Sequence, residues 1–307
     1  VFRAAGDTLV SGWVDASNAA GGGGTVDILG DRVALLDGSV IDASGTTGGG
    51  AVRIGGDFQG RNDEIRNARH TFVGSGASIK ADALVSGKGG KVIVWADDDT
   101  RFYGGISARG GAGGGDGGFV EVSGKQRLAF TGSVDVGAVL GRTGSVLLDP
   151  DDLYVGIDPG SATPDGTDPF QAMDGTNNYY VLAGSLSGDA NYTLQANHDV
   201  IFNATVAFGS AAGKTVSITA TNNIFSTGFA VSTAGGALTL NSATMALGGI
   251  DTGAGLLTIN NSGAAAQAAA FVGSGGLSKL GAGTLTLSQA NTYTGTTTVS
   301  GGILNVS

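Results

Sequence analysis

Two runs of aspartate and one stretch of mixed charge hold the residue types that this 307-residue chain could use for chemistry. The first run, Asp97, Asp98 and Asp99, lies between two apolar stretches. Clustered carboxylates can ligate a cation, or act as acid and base in a polysaccharide lyase or glycosidase. They also occupy solvated turns. We interpret this run as a corner between two strands, with the cation site and the catalytic pair as alternatives.

The second run belongs to an acidic segment, 148–174, which also holds all four prolines of the chain. Ca²⁺ takes several carboxylate and carbonyl oxygens on flexible loops. The spacing fits neither an EF-hand nor an array of calcium-binding nonapeptides. We interpret 150–180 as an acidic loop or cap that contains prolines, and a calcium-ordered loop is the alternative. Calcium is therefore the one cofactor considered, and its candidate ligands are Asp149, Asp151, Asp152 and Asp158.

The third candidate is the stretch "RNDEIRNARH" at 61–70, which packs three arginines, two acids and a histidine into ten residues. Dense charge of this kind favours a solvated excursion from the fold. Loops held by a rigid scaffold often carry binding function, so a ligand-binding loop and a lyase-like site are alternatives. The candidate binding residues are Arg61, Asp63, Glu64, Arg66, Arg69 and His70.

No motif of metal-dependent or covalent catalysis accompanies these stretches. The two histidines, His70 and His198, are far apart, and the chain contains neither a His-x-x-x-His pair nor a Gly-x-Ser-x-Gly elbow. The glycine run at 110–118 lacks the Lys-Ser/Thr ending of a phosphate-binding loop. We therefore expect a non-enzymatic protein, with a polysaccharide lyase or glycosidase as the alternative.

Composition limits the remaining classes. A net charge of −10 argues against a nucleic-acid partner, which requires clustered lysine and arginine. No stretch of 18 apolar residues is present, so no membrane span is expected. The chain starts without the features of a signal peptide, and we expect a piece of a longer protein. The 58 glycines argue against a helical fold, because glycine weakens helix interiors.

These candidate residues are placed by strands that repeat about every 27 residues. Polar and apolar residues alternate within each repeat, as in a strand with one buried face, and glycines follow. An insertion of roughly 11 residues between Asp57 and Phe72 interrupts the period. Short strands repeated in this way predict an all-β, right-handed parallel β-helix. The first strands centre on Val14, Ile41, Ile79, Ile106 and Val134, and the second on Val26, Val52, Val92, Val120 and Val146.

The pattern resumes after the acidic segment with coils of 19–28 residues that are richer in Thr, Ala and Asn. The strands expected there centre on Thr193, Ser217, Thr239, Thr258 and Thr286. One dense threonine cluster at 292–300 is too isolated to predict an ice-binding threonine ladder. The predicted organisation is coils at 1–149 with an inserted loop at 58–71, the loop or cap at 150–180, and coils at 181–307.

The carboxyl-terminal stretch, "GGLSKLGAGTLTLSQANTYTGTTTVSGGILNVS" at 275–307, resembles the passenger-associated repeat of bacterial autotransporters. In that pattern a Lys-x-Gly-x-Gly-Thr-Leu strand precedes an Asn-x-Tyr-x-Gly turn and a threonine-rich strand that ends in Gly-x-Leu. The matching residues are Lys279, Gly281, Gly283, Thr284, Leu285, Asn291, Tyr293, Gly295, Gly302 and Leu304.

Residues 30–155, which contain "GGKVIVWADDDTRFYGG", resemble the repeats of filamentous-haemagglutinin-like exoproteins of two-partner secretion. Both resemblances imply a right-handed parallel β-helix on the bacterial exterior that serves adhesion or cell–cell contact. The partners they imply are a host or bacterial surface, polysaccharide, sister chains, and an outer-membrane secretion pore during export. A role of the last repeat in export alone is a further alternative.

Overall fold

The computed structural model describes residues 1–156, 169–170 and 179–307. Two 3-10 helices, Phe58–Gly60 and Ala183–Leu186, occur among these residues, and the other regular elements there are β-strands. The described residues fall into two compact units. The first unit comprises 1–150, 169–170 and 179–181, and the second comprises 151–156 and 182–307.

The first unit is built from coils of three short strands each. Its strands are β1 (Phe2–Arg3), β2 (Asp7–Val10), β3 (Trp13–Asp15), β4 (Thr25–Leu29), β5 (Arg32–Leu35), β6 (Val40–Asp42), β7 (Ala51–Ile54), β8 (His70–Val73), β9 (Ser78–Lys80), β10 (Lys91–Ala96), β11 (Asp99–Phe102), β12 (Gly105–Ser107), β13 (Phe119–Gly124), β14 (Arg127–Phe130), β15 (Ser133–Asp135) and β16 (Ser145–Leu148).

Equivalent strands of successive coils pair in parallel and form three sheets. Sheet A of this unit has the order β1-β4-β7-β10-β13-β16, sheet B has β2-β5-β8-β11-β14, and sheet C has β3-β6-β9-β12-β15. In sheet A the register aligns one valine from each of the five strands that follow β1, and every one of these side chains is buried. This ladder is Val26, Val52, Val92, Val120 and Val146, which are the second-strand positions predicted from the repeat.

Sheets B and C complete the interior of the first unit. Sheet C aligns the predicted first-strand positions from Val14 to Val134. Sheet B contributes Phe102 and Phe130, whose rings stack with centroids 5.4 Å apart. Stacked identical or similar side chains bury apolar surface that a single coil would expose, so each coil depends on its neighbours.

The second unit continues the same design with shorter coils. The remaining strands are β17 (Leu153–Gly156), β18 (Val181–Leu182), β19 (Asn191–Ala196), β20 (Asp199–Phe202), β21 (Val206–Ala211), β22 (Thr215–Ala220), β23 (Asn223–Phe225), β24 (Val231–Ala234), β25 (Ala237–Ser242), β26 (Thr244–Leu247), β27 (Ile250–Asp251), β28 (Leu257–Asn261), β29 (Ala264–Gln267), β30 (Phe271–Val272), β31 (Leu277–Leu280), β32 (Thr284–Leu287), β33 (Thr297–Val299) and β34 (Ile303–Val306).

Within the second unit, β19-β22-β25-β28-β31-β33 form one parallel sheet and β17-β20-β23-β26-β29-β32-β34 form another. A third sheet has the order β21-β24-β27-β30. Four of the five strands expected for this unit lie in the first of these sheets, and the fifth, through Leu285, does not. Leu257 pairs with Leu277, whereas Leu285 lies in the second sheet between Ala265 and Leu304. Both stretches carry alternating Leu and polar residues, so periodicity alone did not separate them.

A ladder of hydroxyl side chains runs along the first of these sheets, and four of its members are strand centres predicted from the sequence. The strand register brings one serine or threonine from each of six coils into line. Its members are Thr193, Ser217, Thr239, Thr258, Ser278 and Thr298. The isolated cluster at 292–300 contributes one member, Thr298. The other five members lie in strands that contain no dense threonine cluster.

The predicted all-β fold with stacked parallel strands, a parallel β-helix, is therefore confirmed. No helix among the described residues has the length and apolarity that crossing a membrane requires.

Candidate functional site

The charged stretch after β7 folds back onto the outer surface of sheet A in the first unit. Asp57 caps the 3-10 helix by accepting a hydrogen bond from the Phe58 N–H at 2.8 Å. The same carboxylate accepts bonds from Asn62 at 2.7 Å and from Arg53 at 3.2 Å. Burial alone would raise the pKa of Asp57, but these donors outweigh burial and lower it. We call residues 57–69 the tethered loop.

Gln59 fastens the tethered loop to two coils. Its backbone N–H lies 3.2 Å from each carboxylate oxygen of Glu121, and its side-chain amide donates to Asp149 Oδ2 at 2.6 Å. The φ of Gln59 is +51°, a left-handed conformation that costs a non-glycine residue roughly 1 kcal/mol. Glu121 is fully buried beneath it, and burial raises the pKa of this carboxyl to about 7.

The predicted binding residues of this stretch have different surroundings. Arg66 and Arg69 both pair with Asp31, at 2.9 and 2.6 Å, and so fasten the far end of the loop. The side chains of Arg61, Asp63 and Glu64 are exposed. His70 is the first residue of β8 and belongs to the sheet instead of the loop. Whether these residues bind a ligand stays a prediction.

His70 belongs to a charge ladder on sheet B. The register aligns Asp7, Arg32, His70, Asp99 and Arg127 on five successive coils. His70 Nδ1 lies 2.6 Å from Asp99 Oδ1, and Arg32 Nε donates to Asp7 at 2.7 Å. Opposite charges that face each other across paired strands stabilise the pairing. The charged pairs of this ladder therefore favour the observed register between neighbouring coils.

The three consecutive aspartates accept their hydrogen bonds from different side chains. Asp97 accepts bonds from Trp95 Nε1 at 3.1 Å and Asn67 Nδ2 at 3.0 Å. Asp98 accepts from the Gln126 side chain at 2.9 Å, and Asp99 lies in β11 beside His70. The run forms the corner between β10 and β11, and each carboxylate has its own structural partner.

The three candidate calcium ligands that the structure describes are likewise bonded to protein groups. Asp149 is held by Gln59, as described above. Asp151 accepts a bond from Asn197 Nδ2 at 2.7 Å, and Asp152 accepts one from the Asp199 N–H at 3.2 Å. Asp158 lies outside the described residues. Within 1–156, 169–170 and 179–307, no group of three or more His, Cys, Asp or Glu side chains could hold a metal ion. The calcium hypothesis stays a prediction.

A groove of about 870 Å³ lies beside the tethered loop, and sequence analysis missed it. Phe58 and Phe119 meet edge to face in its wall, with ring centroids 5.8 Å apart. Lys91 Nζ lies 5.4 Å from the Phe58 ring and 3.7 Å from Asp57 Oδ1. Lys88, two threonines and a series of glycines complete the lining. The lining comes from four coils, so no local motif marks it.

The carboxyl-terminal repeat shapes the last coils of the second unit. Lys279 is fully buried, and its ammonium donates to the carbonyls of Leu280 and Gly281. Burial lowers the pKa of Lys279. Gly281 has a φ of +73°, which turns the chain where these carbonyls converge. The Lys-x-Gly spacing of the repeat therefore builds a corner.

The asparagine of the repeat fixes the following turn. Asn291 Oδ1 accepts a bond from the Phe271 N–H at 2.8 Å, and its Nδ2 donates to Gln267 Oε1 at 3.2 Å. The Tyr293 hydroxyl lies 2.7 Å from that of Thr297 at the start of β33. The contacts of Asn291 bind the turn to the preceding coil, and that of Tyr293 joins the turn to the start of β33.

We expect Asn291→Ala to loosen the last coil, because the Phe271 N–H and Gln267 lose their partners. Each such loss costs about 1–3 kcal/mol when the group is buried. Hydrogen–deuterium exchange should accelerate at least tenfold in β33 and β34. Gln289→Ala, which removes an exposed side chain from the same turn, is the control. Equal exchange in both variants would contradict this role of Asn291.

The chain is similar to a family model and to a curated protein sequence. A family model described as the passenger-associated-transport-repeat matches residues 277–306. The Adhesin BmaC autotransporter of Brucella suis biovar 1 (strain 1330) is 37% identical over 131 residues, which make up 41% of this chain and 3% of that protein. The chain therefore spans a small part of the length of the curated relative that it matches.

The matches confirm the predicted resemblance to an autotransporter passenger that carries this repeat. Autotransporter passengers act at the bacterial surface or beyond it, so the predicted extracellular or cell-surface localisation is confirmed too.

Proposed function

We propose that this chain is a non-enzymatic adhesive segment of a large bacterial surface or secreted exoprotein. Its coils form a stiff scaffold whose outer faces contact a host surface, a glycan or sister chains. The likeness to an autotransporter adhesin supports this function. The observation that carries it is the tethered loop, whose bonds to Asp31, Glu121 and Asp149 hold a ligand-sized groove in a fixed form.

Export precedes adhesion in this proposal. The chain passes an outer-membrane pore unfolded, which its lack of cysteine permits, and the terminal repeat helps it fold outside the cell. The bonds of Lys279 and Asn291 within the last coils support this role, because they order the end of the second unit. An autotransporter route follows from the repeat, and two-partner secretion is the alternative suggested by residues 30–155.

The competing proposal is a polysaccharide lyase or glycosidase on the same fold. Such an enzyme places two or three carboxylates in one groove. The partners of Asp97, Asp98 and Asp99 do not favour it, since each carboxylate is bonded to a different structural group. The groove beside the tethered loop has aromatic and lysine side chains in its wall instead.

Beads coated with the purified chain test the proposal. We expect saturable attachment to host cells or to bacteria, at least several-fold above beads coated with serum albumin. Soluble chain in excess should compete for that attachment. Polysaccharides incubated with the chain should keep their length on size-exclusion chromatography. Attachment no better than albumin would overturn the adhesive function, and shortened polysaccharide would favour the enzyme.

A further inference from the structure

We infer that the groove beside the tethered loop binds an acidic polysaccharide, with a sugar ring against Phe58 and its anionic groups near Lys88 and Lys91. This inference rests on the proposed adhesive function and names the ligand class for it. The shared chemistry is a chain of pyranose rings that carry carboxylate or sulfate groups. Bacterial and host glycans both offer it.

The groove crosses four successive coils, so an extended ligand bound along it would contact all four. Thr25, Ala51, Lys91 and Phe119 line it, and they pair in register as the first residues of β4, β7, β10 and β13. Paired strands lie about 4.8 Å apart, so these four positions span roughly 14 Å. That length and the volume of about 870 Å³ suit a short run of sugar rings.

The floor of the groove is bare backbone. Gly49, Gly50 and Gly90 line it. A Cβ at any of them would lie 1.9 to 2.2 Å from a carbonyl oxygen of a neighbouring coil. Stacking therefore excludes side chains from the floor and leaves a flat surface. A flat floor below an aromatic wall fits the two faces of a pyranose ring.

The aromatic wall is held in an unusual position. Phe58 is 38% exposed, although it lies in the short 3-10 helix that the rest of the tethered loop fastens down. Gln59, the next residue of this helix, has a left-handed backbone conformation. Backbone strain of this kind is frequent at ligand sites. The electron-rich face of a phenyl ring attracts positively polarised groups, and the C–H bonds of sugars are such groups.

Charge selects an acidic ligand over a neutral one. The chain has a net charge of −10 and only 16 lysines and arginines, yet two lysines line this groove. The side chain of Lys91 keeps 49% of its surface exposed although Asp57 lies 3.7 Å away. Lys88 lies on the same side of β10, in the corner that precedes it. Anionic groups along a bound chain would meet both ammonium groups.

Titration of the full chain with defined probes tests the inference. The probes are short oligogalacturonate for carboxylates, a heparin oligosaccharide for sulfates, neutral malto-oligosaccharide, and polyglutamate as an acidic peptide. We expect calorimetry to detect binding of at least one acidic saccharide that weakens with added salt, and at least tenfold weaker binding of the neutral one. Because heparin carries sulfates in addition to carboxylates, comparison of the two acidic probes shows whether carboxylates suffice for binding or sulfates are required.

Two kinds of variant locate the site. Phe58→Ala, Lys91→Gln and Lys88→Gln should each weaken binding of the acidic probe at least fivefold. Phe225→Ala, which removes another 38% exposed phenylalanine, and Lys125→Gln, which removes an exposed lysine outside the groove, should not. Unchanged melting temperatures show that the variants fold. Lys88→Gln removes a charge from the groove without disturbing the ion pair between Lys91 and Asp57.

Equal binding by wild type and all three groove variants would overturn the inference, as would equal binding of the neutral probe or binding of polyglutamate alone. If neither acidic saccharide binds, the inference is overturned as well. The bead assay separates this from failure of the proposed function. If beads coated with the Phe58→Ala, Lys91→Gln double variant still attach, the groove is not the binding site although the chain is adhesive. If beads coated with the wild-type chain do not attach, the adhesive function itself is wrong.

Discussion

Gly49→Ala should destabilise the first unit by about 3 kcal/mol, the upper end of what overpacking usually costs. The added Cβ would lie 1.9 Å from the Ala81 carbonyl oxygen and 2.3 Å from the Gly90 nitrogen. The Gly90 N–H donates to this Ala81 oxygen at 2.7 Å, and the bond closes the corner of the coil. The equivalent bonds in the other coils of the first unit measure 2.8 Å. The backbone must move to admit the methyl group, and the stacked coils on both sides oppose that movement.

Fluorescence provides a local measurement of this effect. Both tryptophans of the chain, Trp13 and Trp95, belong to the first unit, and Trp95 is buried. A urea titration followed by tryptophan emission should show a lower midpoint for Gly49→Ala. Gly48→Ala is the matched control, because a Cβ there has 3.7 Å to its nearest neighbour, the Lys88 carbonyl oxygen. Alanine at such a site is neutral or stabilises slightly. Equal midpoints for the two variants would contradict the stacking argument.

Glu121→Gln should stabilise the first unit above pH 7 and leave it nearly unchanged at pH 4.5. Burial raises the pKa of this carboxyl from 4.5 to about 7, so the folded chain favours the protonated form. Below pH 4.5 the group is neutral in both states and its contribution is intact. As the pH rises through about 7, the folded chain must bury a charge. The free energy of unfolding therefore falls by about 3 kcal/mol over this window.

Glutamine removes the charge and keeps an oxygen that can accept the Gln59 N–H. Urea titrations of wild type and variant between pH 4.5 and 8.5, followed by tryptophan emission, give the difference in stability at each pH. That difference should grow with pH and level off above 8. Glu64→Gln, which removes an exposed carboxylate of the tethered loop, controls for net charge. A difference that does not vary with pH would show that Glu121 is not buried as a neutral acid.

The sequence determined the coils of the first unit. Alternation and glycine spacing predicted the ladders through Val26 and Val14 in their actual register, insertion included. This succeeded because each ladder position is buried by its equivalent in the next coil, so the repeat in the sequence and the contact in space coincide. The terminal repeat was legible for a related reason. Lys279, Gly281 and Asn291 each act within a coil or on the adjacent one.

The second unit shows where periodicity alone is insufficient. Leu277 and Leu285 both lie in alternating strands, and pairing decides that only Leu277 continues the ladder from Leu257. The hydroxyl ladder was predicted only in part. Thr239 and Thr258 are centres of predicted strands, whereas the last two members, Ser278 and Thr298, follow only from the register.

The candidate site was decided by tertiary structure. The sequence marked the tethered loop by its charge and suggested a solvated excursion. Its charged side chains at 61–69 are exposed, and the structure adds that the loop is fastened to the coils. Arg66 and Arg69 pair with Asp31, and Gln59 bonds to Glu121, more than thirty residues away in each case. Those partners are set by which coil lies beneath the loop. Charge and period are properties of neighbouring residues, whereas the groove of Phe58, Phe119 and Lys91 exists only because stacking brings four coils side by side.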